Sequence, residues 1–161
     1  MRAAIVRRLP ALALPLALAV GGCAHQTIAG TTVEDSPENR AVIAVLEQYE
    51  KAMESLDADA VLALVATSYY ETSGNTDASD DYDRRGLETS LREDFARTKA
   101  MTVDLRVEAL EVEAESAAAE CFFEFRAQVE YPAGVRWETG TDRTRIRLAR
   151  EGKAWKIVGG I

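Results

Sequence analysis

Histidine occurs once and cysteine twice in the 161 residues. The histidine, His25, lies near the start of the chain, ahead of the first helix or strand pattern, so a Ser-His or Cys-His catalytic pair inside a folded domain is excluded. Glycine is sparse and nowhere arranged to cradle a phosphate: Gly21-Gly22 sits in the first apolar stretch and Gly159-Gly160 at the far end. Basic residues are outnumbered, 19 against 27 acids for a formal charge of −8, which argues against nucleic acid as a partner and against adsorption to an anionic lipid surface by charge. Apolar runs are short, with one exception at residues 9–20, and that run contains Pro10 and Pro15. It is too short and too broken for a spanning helix. There is no internal repeat, and the length suits one domain of ordinary size.

What the first residues do contain is a graded export pattern. Arg2, Arg7 and Arg8 form a positive start, residues 9–20 an apolar core, and Val20-Gly21-Gly22-Cys23 a small-residue site ending in cysteine. This resembles the lipobox of a bacterial lipoprotein signal peptide, although Gly21 is a less common choice at its place. The resemblance implies that residues 1–22 are removed, that Cys23 is lipidated, and that the membrane is a partner through that lipid. Ala24 after the cysteine then implies the outer membrane, with the protein facing the periplasm. Arg7-Arg8 is succeeded by Leu9-Pro10-Ala11, a departure from the twin-arginine type of signal. The mature chain keeps 16 basic against 27 acidic side chains, a formal −11. Residues 23–35 are small, polar and unpatterned and read as a flexible tether. Residues 36–161 form the domain. With Cys23 acylated, no intramolecular disulfide remains possible, and Cys121, within an apolar strand pattern, is expected as a buried inert thiol.

The domain opens on helices. Val42, Val45, Leu46, Tyr49, Met53 and Leu56 recur at three- and four-residue steps, which predicts an amphipathic helix. Ser36 is its expected N-cap, with Pro37 at the first helical position and Glu38 in the first turn. A one-residue break at Asp57 leads to a shorter helix carrying Val61, Leu62, Leu64 and Val65. Tyr69 to Thr72 has strand character and dissolves into a polar loop over residues 73–81. A third helix is expected over about 82–99, with Leu87, Leu91 and Phe95 along one face. The period then changes to two: Val103, Leu105 and Val107; Cys121, Phe123, Phe125, Ala127, Val129 and Tyr131; a long strand from Val135 to Arg150, with a bulge expected near Gly140; and Ala154-Trp155-Lys156-Ile157-Val158 after a hairpin turn. Helices followed by long antiparallel strands predict an α+β fold, three N-terminal helices packed on a curved, mostly antiparallel sheet.

A helix with Tyr49 near its middle, the run Leu-Asp-Ala-Asp-Ala-Val-Leu-Ala-Leu into a second helix, a third helix, and a meander ending in Trp-Lys-Ile-Val together resemble the nuclear transport factor two-like superfamily, the cone-shaped group that includes ketosteroid isomerases and polyketide cyclases. The resemblance covers about residues 37–161. It implies a pocket between sheet and helices that many members use for a small apolar ligand, lined here by Tyr49, Met53, Tyr69, Phe95, Phe123, Phe125 and Trp137. In the isomerase branch the base is an Asp just after the first strand, helped by a helix-one Tyr and a protonated Asp in a later strand. Carried over, Tyr49 takes the tyrosine position. The base position falls at or near Ser73, with Glu71 and Thr72 beside it, and Phe123, Phe125 and Ala127 supply no second acid. The set is incomplete.

Two further clusters have chemical potential. Asp77, Asp81, Asp83 and Glu88 approach the spacing of a calcium loop, but Tyr82 stands where that loop needs glycine. The plainer expectation is that Asp80, Asp81 or Asp83 caps the third helix. Arg126, Arg136, Arg143, Arg145 and Arg147 alternate with Glu124, Glu130 and Glu138 and are expected as cross-strand pairs on a solvated face. No cofactor is expected. The reading favoured is a lipid-anchored, non-enzymatic domain that binds a small apolar ligand or a protein partner. Its alternatives are a pocket enzyme of the isomerase, dehydratase or cyclase type, and a structural homodimer joined through the outer face of the sheet. The lipidation expectation is open to direct test: Cys23→Ser should move the protein from the membrane to the soluble fraction of its host, and an unchanged distribution would exclude acylation as the anchor.

Overall fold

The computed structural model describes residues 26–72 and 78–161. Cys23, Ser73 and Asp77 lie outside them. The chain runs α1 (Pro37–Glu54), α2 (Ala58–Leu64), β1 (Tyr70–Glu71), β2 (Tyr82–Asp83), α3 (Arg84–Arg97), β3 (Thr98–Val112), β4 (Ser116–Tyr131), β5 (Gly134–Glu151) and β6 (Ala154–Gly159). The last four strands form one antiparallel sheet in the order β3-β4-β5-β6, and β1 pairs with β2 in a separate two-residue ribbon. Three helices on one face of a mostly antiparallel sheet is the expected α+β cone.

Local chemistry explains the helix ends. Ser36 caps α1 by accepting the Asn39 N–H at 3.1 Å, and Asp57 caps α2 by accepting the Ala60 N–H at 2.9 Å. The break between them is longer than the single residue expected. Asp57 N–H reaches the Ala52 carbonyl and Leu56 N–H the Met53 carbonyl, both at 3.0 Å, with Leu56 in the left-handed region at φ 54°. That is a Schellman-type end made without glycine. α3 begins two residues later than expected because Tyr82 and Asp83 pair with β1, leaving Asp83 as the cap.

Residues 26–35, expected as tether, form a short turn instead. Thr27 bridges Glu34, Ile28 N–H donates to Val33 O at 2.9 Å, and Val33 is buried in the core. Two apolar residues, Ile28 and Val33, at the base of a short turn leave no periodic trace, so the sequence pattern did not mark them.

The core lies between the concave sheet face and the helices. Val42 and Leu46 of α1, Val61 of α2 and Leu87, Leu91 and Phe95 of α3 pack with Ala119, Cys121, Ile146, Leu148 and Ile157. β3 carries register shifts at Thr98/Ala100 and Val107/Ala109, and β5 at Arg147/Leu148. Such irregularities bend a sheet. The bulge expected near Gly140 is absent: β5 pairs with β4 without interruption, and Gly140 stands directly opposite Phe125. The glycine serves another purpose, since a Cβ there would lie 2.4 Å from the Phe125 ring. The ring lies close over the glycine, which leaves room for it. Leu46 is 1 % exposed at the centre of this packing, so Leu46→Ala should cost about 2–5 kcal/mol, read as a lowered midpoint in urea. A loss well under that range would mean α1 is not anchored as described.

Candidate functional site

Two apolar cavities open on the concave face, separated by Phe123. The outer one, about 260 Å³, has a floor of Met53, Met101, Phe123, Phe125, Ala127 and Val129. Its rim is charged: Asp94 and Arg97 from the last turn of α3 face Tyr131 and Glu138 from the β4–β5 end of the sheet. Arg97 is ion-paired with Asp94, and the Tyr131 hydroxyl donates to Glu138. The hydrogen bond that Arg97 donates to Asp94 raises the guanidinium pKa further, and the bond that Tyr131 donates to Glu138 raises that of its phenol. The rim is therefore internally paired.

The inner cavity, about 210 Å³, is lined by Tyr49, Leu105, Phe123, Asp142, Thr144, Ile146, Gly160 and Ile161. Tyr49 comes from the middle of α1 and is buried; burial pushes its phenol well above the ordinary tyrosine range, so it stays a protonated donor. Its hydroxyl has no hydrogen-bond partner among the described residues. Thr144 Oγ1 donates to Gly160 O at 2.9 Å, and the Asp142 carboxylate accepts from the Arg143 N–H at 2.7 Å. A phenol, a carboxylate and a hydroxyl thus border one apolar space.

Asp142 is the residue that sequence reasoning missed. It pairs with Phe123 across the β4–β5 ladder and shares a face with Ile146 and Leu148, whose burial sets the phase. Counting back by twos from Ile146 reaches Thr144 and Asp142, and that count was the available signal. Trp137 is the reverse case and a correction. It is out of phase with this face, 54 % exposed on the convex side, with the Arg126 guanidinium 4.2 Å over its ring.

The other expected pocket residues divide. Met53 and Phe125 line the outer cavity, Phe123 both, and Tyr49 the inner one. Tyr69 lines neither: it is buried in the core, and its hydroxyl donates to Ile161 O at 2.8 Å beside that of Tyr82 at 3.0 Å. Phe95 is also core, reaching only a shallow depression beside the α1–α2 turn. Glu71 is engaged as a structural clip, accepting the Thr72 N–H at 3.0 Å and the Gly160 N–H. That use of both oxygens removes it as a free base.

Asp81, Asp83 and Glu88 do not converge. Among the described residues no group of three metal-ligating side chains comes together. Asp83 caps α3 by accepting the Arg85 and Gly86 N–H groups at 3.0 Å, and these bonds, that of Gly86 first, hold its carboxyl below the usual range. Asp81 accepts the Tyr70 hydroxyl at 2.9 Å, and Glu88 is taken by Arg92. On the convex face two of the five expected arginines pair across strands, with acids other than those expected: Arg143 with Glu108, and Arg145 with Glu111 and Glu120.

Cys121 is 1 % exposed beneath α1, and burial pushes its thiol up to about 12. The raised value keeps it protonated at every pH below that point. With Cys23→Ser leaving one thiol, the native protein should not react with a disulfide reagent at pH 8, and should react once unfolded; rapid native reaction would contradict the packing of α1 over β4.

A family model for a SnoaL-like domain matches residues 42–159. No curated protein matches the chain. Among solved structures, the chain is similar to a conserved protein from Planctomyces limnophilus, at 10 % identity and a TM-score of 0.65, covering 76 % of this chain and 91 % of that one. It is also similar to a ketosteroid isomerase-like protein from Erwinia carotovora atroseptica, at 13 % identity and a TM-score of 0.61, covering 78 % and 95 %. A third is a type 2 hexachlorocyclohexane dehydrochlorinase, at 10 % identity and a TM-score of 0.61, covering 76 % and 81 %. At these identities the likeness concerns the fold.

Proposed function

Starting from the chain's membership of the SnoaL-like domain family, we propose that it is an envelope lipoprotein whose cone holds a small, largely apolar molecule. The observation that carries this is the pair of apolar cavities walled by Phe123, with polar groups confined to the rim and to one end. Pockets of this kind bury the apolar body of a ligand and use few polar groups to orient it. Tyr49 supplies a donor at the inner end, and Arg97 with Glu138 frames the mouth. Anchoring through Cys23 would keep the domain at a membrane surface, the richest local source of apolar molecules.

A second reading is favoured by one observation. Tyr49 and Asp142 border the same cavity from opposite walls. A phenol that stabilises a developing enolate and a carboxylate that takes a proton are the parts of an isomerase or dehydratase site. Two of the similar structures are named for such chemistry, an isomerase-like protein and a dehydrochlorinase. Against this reading, Asp142 is exposed and its carboxylate is occupied by the Arg143 N–H.

Titration with the neutral fluorescent probe N-phenyl-1-naphthylamine tests the binding reading. Saturable binding is expected, and Met101→Trp in the outer cavity or Leu105→Trp in the inner one should weaken it by at least about tenfold. Absence of saturable binding, or binding indifferent to both substitutions, would sink the reading. Deuterium exchange on an enolisable ketone, abolished by Asp142→Asn, would install the enzymatic one.

A further inference from the structure

The two edges of the sheet are treated differently. At the β3 edge, Val103 and Leu105 turn their N–H groups away from β4, where Glu54 accepts at 3.1 Å and Glu50 at 3.2 Å. α1 closes that edge. The alternation of an antiparallel ladder fixes the rest. Since Val103 and Leu105 point outward, their partners Phe125 and Phe123 point their backbone groups toward β5. Gly140 and Asp142 answer them from β5. The intervening residues Val135, Trp137, Thr139, Thr141 and Arg143 therefore turn N–H and C=O to the far side.

That far side is open. β6 pairs only with Arg147–Glu151 of β5, and Gly160 reaches back no further than Thr144 and Arg145. Among the described residues nothing pairs with residues 135–143 on the side away from β4, and Val135 and Trp137 are 49 % and 54 % exposed. A long bare strand edge is a template for another strand unless something blunts it. Charge is the usual device, and this edge carries Arg136, Glu138, Asp142 and Arg143. Their placement blocks several registers and favours one.

Turning the edge about a two-fold axis through Thr139 sets Arg136 against Asp142 twice, Trp137 against Thr141 twice, and Glu138 against Gly140. No like charges meet. Moving the axis to residue 138 sets Glu138 against itself, and moving it to 140 sets Glu138 against Asp142; like charges directly opposite are destabilising. An axis at Trp137 also opposes unlike charges, but pairs only Val135, Trp137 and Thr139 of the edge. The two charges that the Thr139 axis uses are the ones available. Arg136 has no ion pair or hydrogen bond among the described residues, and Asp142 holds only the N–H of its own neighbour.

We propose that the chain forms a two-fold dimer by pairing residues 135–143 with the same edge of a second copy, centred on Thr139, and that the partner subunit's Arg136 thereby reaches Asp142 at the wall of the inner cavity. The interface is isologous, and the two sheets become one continuous sheet with both cones on the same side. Asp142 leaves the Arg143 N–H for the guanidinium, which frees that N–H for the new ladder. The inner cavity then gains a buried carboxylate paired across the subunit boundary, so its polar end is complete only in the dimer. This interface is the edge of the sheet rather than its outer face, and it does not depend on what the cavities hold.

Sedimentation of the full chain, purified from membranes in detergent, tests this with charge-swapped variants at two exposed positions. The wild type is expected to be a dimer. R136D and D142R should each weaken it by at least about tenfold, because each sets like charges opposite twice. An equimolar mixture of the two variants should regain a dimer, now heteromeric. T139P, which removes the donor on the axis while the monomer's own ladder is untouched, should be monomeric with an unchanged circular dichroism spectrum. A monomeric wild type at all soluble concentrations, single variants as dimeric as the wild type, or variants that fail to recover on mixing would each overturn the proposal.

Discussion

The structure depends on α1 lying across the sheet with both its apolar stripe and its acids in use. Leu46 and Tyr49 go down into the core with Cys121, while Glu50 and Glu54, one turn apart, reach sideways to the N–H groups of Leu105 and Val103. The first contact supplies apolar burial; the second satisfies donors that an edge strand would otherwise leave to water or to another chain. Helix and edge strand are thus fixed in one relative position. The concave face cannot collapse onto α1 along its whole length, because Phe123 stands between the two cavities and Gly140 lets Phe125 lie flat against β5. The space that remains is the pair of apolar cavities.

Most of the architecture was legible in the sequence because it is periodic. The α1 stripe, the Ser36 and Asp57 caps, the Leu87, Leu91 and Phe95 face of α3 and the alternation through β4 all follow from spacing. What escaped lacks a period. Val33 is one buried residue on a turn. Leu56 takes a left-handed conformation that favours glycine, held by the hydrogen bonds of the turn. The site was harder, for a related reason. In the distal half of β5 the inward face is polar or small and the apolar Val135 and Trp137 lie on the other, so local composition points to the wrong face. Phase has to be carried from Ile146, and the residue it brings inward is Asp142 rather than the more conspicuous Trp137.

The same polar half-strand gives the molecule its asymmetry. One edge of the sheet is sealed by helix carboxylates, and the other is bare and marked by charges symmetric about Thr139. The cavities lie between these edges, with the inner one bounded on its open side by β5 itself. The proposed ligand and the proposed second copy would therefore meet the protein through adjacent faces of one strand. In the proposed reading a lipid anchor would set where the domain works, the apolar floor what it can hold, and the edge whether Asp142 works alone or paired.

Native mass spectrometry of the full chain, extracted gently from its own host membranes, tests the central claim most directly. The account predicts a discrete additional mass, beyond that of any acyl group on Cys23, that persists in the gas phase and disappears on denaturation. A clean unliganded mass from the same preparation would contradict a cone that retains a small apolar molecule.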